Sequence, residues 1–204
     1  GLISCPRKGN TLYGRVENYM RRRTEAVGYD EVKTPQILDR ALWEQSGHWE
    51  KFHENMFICE AADGETLAVK PMNCPGHVQI FNHGQRSYRD LPIRMAEYQP
   101  LHRNESSGSL HGMMRVRQMC QDDAHIFCTP EQILEESKAF VELLQLVYRE
   151  LNVELHSVKL ALRPDKRFGS DAQWTIAEDT LEQAANAAGV EVERIENEGA
   201  FYGP

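Results

Sequence analysis

Lys70-Pro71-Met72-Asn73-Cys74-Pro75-Gly76-His77 and, about fifty residues later, Gln121-Asp122-Asp123-Ala124-His125-Ile126-Phe127-Cys128 organise the reading of this chain. In the first stretch Pro75 suits the opening turn of a helix that runs to about Asn82 and stops at Gly84. The Cys74 thiol then stands at a helix entrance, where the dipole favours thiolate, the form that binds metal. The second stretch reads as a strand over 124–128, with the Asp122 and Asp123 carboxylates beside the His125 imidazole. Between them lies His102-Arg103-Asn104-Glu105, an arginine and a glutamate two apart and so on one face of a strand. Plainer readings stand beside each: a buried cysteine acting as a small hydrophobe, a half-buried histidine, a surface ion pair. Together, a thiol, an imidazole, an acidic pair and a phosphate-reading arginine point to a metal-assisted site for an amino acid and a nucleotide.

The rest of the composition fits such a domain. The chain has 204 residues, 41% hydrophobic and 26% charged, enough for one large domain or two small ones with a full core. No apolar run approaches membrane-spanning length, and Gly1-Leu2-Ile3-Ser4-Cys5-Pro6 lacks the apolar core of a signal peptide. Five cysteines at irregular spacings, without a CxxC, argue for reduced thiols and a cytoplasmic setting. The net charge of −8 implies that any grip on nucleic acid comes mostly from elsewhere. Arg21-Arg22-Arg23, the densest basic run, reads as a solvated helix face.

Periodicity predicts the elements. A first helix spans 11–27, with Leu12, Tyr13, Val16, Tyr19, Met20 and Val27 on one stripe, Asn10 as N-cap and Gly28 at the stop. A strand over 31–34 ends at Pro35. A short helix over 40–45 is capped by Asp39, and 57–60 and 66–69 form a hairpin around Asp63-Gly64. Strands are expected at 93–98 and 114–120, paired across the loop 106–112. Thr129-Pro130-Glu131-Gln132 is a capping box that opens a long amphipathic helix. A strand over 153–162, a helix over 171–188 capped by Ser170 and a strand over 190–195 complete the chain. Hairpins without regular βαβ units favour an α+β fold, an antiparallel sheet flanked by helices. A dinucleotide-binding fold is disfavoured, since no GxGxxG follows a strand.

In this order the three quoted segments resemble the catalytic domain of the threonyl-tRNA synthetase family, among the class II aminoacyl-tRNA synthetases. The resemblance covers almost the whole chain, which reads as a partial catalytic domain. Motif 1 falls near 11–35, with Pro35 at a homodimer interface, and motif 2 near 93–120. The editing, anticodon-binding and motif 3 regions fall outside the chain. The resemblance implies activation of L-threonine by ATP with Mg2+, then transfer to tRNA(Thr); the alternative is a non-catalytic binding or regulatory module derived from such an enzyme. It makes Cys74 and His125 two of three protein ligands to Zn2+, the third lying outside this chain. Threonine fills the open position, which separates it from valine, a near isostere that an apolar pocket rejects poorly. Asp123 then receives the threonine hydroxyl, Met72 lines the pocket, and Tyr202, in Gly199-Ala200-Phe201-Tyr202-Gly203-Pro204, meets the amino group. Arg103 reaches the α-phosphate, Glu105 the adenine amino group, Arg115 the nucleotide and Gln121 the activated carbonyl. His48 matches a residue near the terminal ribose of tRNA, or else packs beside Trp49. The chain departs from the family at Gln118-Met119-Cys120, where Met119 replaces a phenylalanine that stacks on adenine, at Tyr98-Gln99-Pro100-Leu101, and at Ser106.

Overall fold

The structure is a computed structural model describing residues 1–203; Pro204, the end of the Gly199–Pro204 stretch, lies outside the described residues. The chain forms two compact units, one from Gly1 to Phe127 and one from Cys128 onward.

The first unit begins with α1 (Arg7–Ala26), which starts one turn earlier than its apolar stripe suggests. Pro6 is extended and cannot continue a helix, so the helix runs back to meet it. Asn10, the expected cap, instead lies inside the helix and donates its N–H to the Pro6 carbonyl. Gly28, at φ +83°, takes the left-handed conformation that ends the helix. β1 (Asp30–Glu31) is shorter than expected. The ladder continues only through the Val32 N–H to the Ala96 carbonyl. The Thr34 N–H is bound by the Glu97 side chain, so it cannot serve a neighbouring strand.

β2 (Ile37–Asp39) leads into α2 (Arg40–Gln45), where Asp39 accepts from the Ala41 N–H as its cap. α3 (His48–Phe52) follows, then the hairpin of β3 (Phe57–Glu60) and β4 (Thr66–Val69), with the bounds expected from the sequence. β4 is central between β2 and β3 in an antiparallel sheet. Trp43, Met56 and Ala68 form a buried core, with Leu38, Trp49 and Met72 packed against it.

α4 (Cys74–Asn82) has Pro75 in its first turn, as expected. β5 (Ile93–Glu97), β6 (Pro100–His102), β7 (Gln118–Cys120) and β8 (Asp123–Phe127) complete the unit. The expected pairing of 93–98 with 114–120 is corrected here. β7 pairs with β6, while β5 pairs antiparallel with β8 and parallel with β1. Two short strands stand in place of one long one on the first side of the loop, because the ladder breaks after Glu97 and resumes at Pro100. On the return side, His111–Arg115 folds back on itself and leaves only three residues for β7.

The β5–β8 register decides where chemistry can sit. Alternation places Ala96 and Tyr98 on one face, where they form a buried cluster with Tyr29 that Met20, Cys120, Ala124 and Ile126 cover. The other face carries Met95 opposite His125 and Glu97 opposite Asp123.

In the second unit the Thr129–Gln132 capping box forms as expected and precedes α5 (Ile133–Glu150). β9 (Val158–Ala161), α6 (Asp171–Ala187) and β10 (Val192–Ile195) follow. Ser170 caps α6 in a second capping box. β10 lies parallel to β9, a pairing that the intervening helix makes available.

At Gly76, α4 lies against Thr34 in the loop after β1. A Cβ there would meet Thr34 Cγ2 at 2.7 Å and Thr34 Cβ at 2.9 Å. Since Thr34 is held by Glu97, it cannot swing away at small cost. Gly76→Ala is expected to destabilise the first unit by about 1–3 kcal/mol, as overpacking does, and a urea midpoint equal to that of the parent would contradict this.

Candidate functional site

The polar face of β5 and β8 is built around Glu97, whose side chain has no solvent exposure. Its Oε1 accepts from the Thr34 N–H at 2.8 Å and from Lys70 Nζ at 2.8 Å. Its Oε2 accepts from the Thr34 hydroxyl at 2.9 Å and lies 2.9 Å from His77 Nε2. Lys70, also fully buried, spends its other protons on the Thr34 hydroxyl at 2.8 Å and the Thr34 carbonyl at 3.4 Å. Burial alone would raise the Glu97 carboxyl. The bonds from His77, Lys70 and Thr34 outweigh it and hold the group at about 2.

α4 carries this network to β8. His77 Nδ1 lies 2.7 Å from His125 Nδ1, and the two rings meet edge-on with centroids 4.7 Å apart. Burial lowers the His125 pKa, and the neighbouring His77 adds to it. Asn73, one residue before α4 and fully buried, donates to Asp123 Oδ2 at 3.1 Å. Among the described residues its Oδ1 has no hydrogen-bond partner, so a donor group arriving there would satisfy it. Arg103 donates Nε to the Pro71 carbonyl at 3.3 Å, which ties β6 to the residues that precede α4.

Cys74 is the first residue of α4, and here one expectation is corrected. Burial, reinforced by Asp123, pushes the thiol up to about 11; the helix-end N–H and Arg103 oppose this and do not overcome it. The helix dipole is therefore not the dominant influence on this thiol. Cys74 and His125 both feel the Asp123 charge. Among the described residues no three His, Cys, Asp or Glu side chains are grouped to hold a metal ion.

The remaining expected residues lie at several places. Glu105 pairs with Arg115 at 3.1 Å, and its carbonyl accepts from Arg117 Nε at 2.8 Å. These residues border a polar cavity of about 510 Å³. Met119 lines another cavity, of about 470 Å³, with Tyr13, Tyr98 and Gln118. Met72 leans on the Trp43 core. His48 is only 4% exposed, bonded to Ser46 Oγ at 2.8 Å and edge-on to Trp43, and burial lowers its pKa. Gln121 is half-buried between β7 and β8. Tyr202 belongs to the second unit, where its exposed ring meets Phe201 edge-on.

Sequence reasoning missed Glu97, Thr34 and the roles of Lys70 and His77. Lys70 and His77 bound the first quoted stretch, but their partner Glu97 lies in a strand whose register no local pattern reveals.

A family model described as the class II core domain of tRNA synthetases (G, H, P, S and T) matches residues 57–203. The chain is 60% identical over its whole length to a threonine–tRNA ligase of Caulobacter sp. (strain K31), of which it spans 31%. It is 57% identical to one of Ralstonia nicotianae, of which it spans 32%. It thus covers about a third of these curated relatives. Among solved structures it resembles the RNA binding domain of threonyl-tRNA synthetase from Cryptosporidium parvum Iowa II. That match has a TM-score of 0.89 and 42% identity over 96% of this chain and 48% of the other.

The depressed Glu97 carboxyl makes stability depend on acid in a definite direction. Folded, the group is held at about 2 against an ordinary 4.5, so its contribution is full above 4.5 and is lost as pH falls towards 2. Urea midpoints measured across that window should fall less steeply for Glu97→Gln than for the parent. Equal slopes would show that Glu97 does not carry the acid sensitivity.

Proposed function

The chain belongs to the class II tRNA synthetase core-domain family, and we propose that it is the part of a threonine–tRNA ligase that binds L-threonine and ATP. The observation that supports this reading is the hydrogen bond from Asn73 to Asp123, which joins the first quoted stretch to the second, while Arg103 is tied to the first through the Pro71 carbonyl. These residues come from three sequence segments, and they bring together an amino-acid end and a phosphate end. Asp123 takes the threonine hydroxyl and Met72 borders its methyl.

Activation joins a threonine carboxylate oxygen to the α-phosphorus of ATP and releases pyrophosphate. Arg103 offsets the charge that gathers on the phosphoryl oxygens. ATP arrives with Mg2+. Glu105 and Arg115, already paired across the motif 2 loop, receive the nucleotide, and Met119 packs against the adenine. Gln121 holds the threonyl carbonyl while a terminal ribose hydroxyl of tRNA(Thr) attacks it and AMP departs. His48 stands near that ribose.

The donor chemistry of Cys74 and His125 suits Zn2+. When bound, zinc would offer open coordination to a hydroxyl and an amino group, a pair that valine, which has no hydroxyl, cannot supply. Its third protein ligand comes from another part of the protein.

We also read α1 as a homodimer surface. Leu12, Tyr13, Val16 and Val27 of the predicted stripe are all exposed, Leu12 by 66%. The five free cysteines fit a cytoplasmic enzyme. No helix among the described residues is long and apolar enough to cross a membrane.

In the full-length synthetase, Arg103→Ala should slow threonine-dependent pyrophosphate exchange by about 10²–10³-fold. Threonine binding, followed by calorimetry, should change much less. Unchanged exchange would refute the assignment. Leu12→Lys with Val16→Lys should shift the same protein from dimer to monomer in sedimentation at micromolar concentration, and a dimer of parental stability would refute the α1 surface.

A further inference from the structure

We propose that Asn73 is a positioning residue for the selection of threonine, one that leaves α4 without a side-chain cap and holds the Asp123 side chain instead. The proposal deepens the reading of Asp123 as the group that takes the threonine hydroxyl, and it rests on that reading.

Asn73 occupies the N-cap position of α4. Asparagine is among the best residues for that place, because its side-chain oxygen accepts from a backbone N–H of the first turn. Two other caps in this chain work in that way. Asp39, at ψ 142°, accepts from the Ala41 N–H, and Ser170, at ψ 158°, accepts from the Gln173 N–H at 3.3 Å. Both have the extended backbone from which a short side chain turns back onto its helix. Asn73 lies instead at φ −92° and ψ −17°, and its side chain makes no capping bond. Its Oδ1, the atom that would cap, has no hydrogen-bond partner among the described residues, and the residue has no solvent exposure. A missing cap and an unpaired buried acceptor both cost stability. The bond that the side chain does make runs to a residue fifty positions away, where Nδ2 donates to Asp123 Oδ2 at 3.1 Å.

That bond fixes what β8 leaves free. The β5–β8 register sets the Asp123 backbone opposite Glu97. The carboxylate can still turn about its last torsion, which is a broad one for aspartate. A donor on one oxygen stops the turn. With Oδ2 engaged by Asn73, Oδ1 is left for an incoming hydroxyl. Threonine and valine differ at that hydroxyl, so a carboxylate out of place loses selection even in a folded enzyme. Asn73 is fully buried, so it acts on the substrate through Asp123 and not by contact.

The test is pyrophosphate exchange dependent on threonine or on valine, in the full-length synthetase carrying Asn73→Ala, Asp123→Ala or both. A partly unfolded enzyme loses activity towards both amino acids alike. The ratio of kcat/KM for threonine to that for valine therefore reports selection and not folding. Asn73→Ala should lower this ratio about 10–100-fold. In the Asp123→Ala enzyme, adding Asn73→Ala should change it by less than about 2-fold. A parental ratio in Asn73→Ala overturns the proposal. So does a repeat of the same fall in the Asp123→Ala enzyme, since Asn73 would then act by another route. If Asp123→Ala itself keeps the parental ratio, the reading of Asp123 is wrong and the proposal falls with it. A collapsed ratio in Asp123→Ala beside a parental one in Asn73→Ala removes the proposal alone. Asn73→Ser has a hydroxyl that can cap α4 but is too short to make the bond to Asp123. It keeps the test decisive where Asn73→Ala does not fold: it should show the same fall, and a parental ratio in Asn73→Ser also overturns the proposal.

Discussion

The buried Glu97 carboxylate is the constraint on which the first unit depends. It gathers the loop after β1 through Thr34, the residue after β4 through Lys70, and α4 through His77, all from its place in β5. These attachments come from three separate parts of the chain. A buried ion pair does not by itself make a fold more stable, because desolvation offsets most of the attraction. Its effect is on arrangement. Removing one partner leaves a charge without compensation, at a cost of about 3–5 kcal/mol, so only the assembly that completes the whole set is populated. Thr34 shows the consequence locally: the amide that would have extended β1 serves the carboxylate instead, and the strand stops early.

The β5–β8 ladder turns that constraint into a site. One face is apolar and lies under Tyr29 and Met20, which fixes the register. A slip of one residue would move Ala96 and Ala124 out of that cluster and push Glu97 and Asp123 into it. The same register lines up Glu97 with Asp123 and Met95 with His125 on the opposite face. The hydrophobic face therefore determines the spacing of the polar one. Charge on the polar face is graded. Glu97 is fully compensated, and its neighbour Asp123 has the Asn73 amide as its hydrogen-bond donor. Asp123 is thus the carboxylate better placed to receive a hydroxyl.

Much of this was legible in the sequence where the signal is local. The Asp39, Ser170 and Thr129 caps, the 57–69 hairpin and the Pro75 helix follow from neighbours within four residues, and each forms as read. The grouping of Cys74, Asp123, His125 and Arg103 rested on the family resemblance of their segments; the structure ties Asp123 to Asn73 and Arg103 to the Pro71 carbonyl. What could not be read is the non-local part. The partners of β5 depend on register across some thirty residues, so the expected hairpin was placed one strand too early. The thiolate reading of Cys74 came from its helix position, but its proton affinity is decided by burial, the plainer reading, and by a carboxylate from β8. The start of α1 was missed because Lys8, Gly9 and Asn10 carry no apolar periodicity.

The stretch from Lys70 to His77 is therefore less a list of reactive groups than a fitting problem. Lys70 is locked to Glu97, and Pro71 lends its carbonyl to Arg103. Met72 packs on the Trp43 core and Asn73 holds Asp123. Cys74 and His77 are three apart, hence on neighbouring positions of one side of α4, so a single helix orientation serves both. That orientation requires α4 to come against Thr34, and Gly76 is the residue that lets it, since any Cβ would meet Thr34 at 2.7 Å. Moving the helix outward to admit a side chain would lengthen the 2.9 Å contact from His77 to Glu97 and the 2.7 Å contact to His125 together. The glycine touches no substrate in this reading, yet the placement of His125 depends on it as directly as on His77.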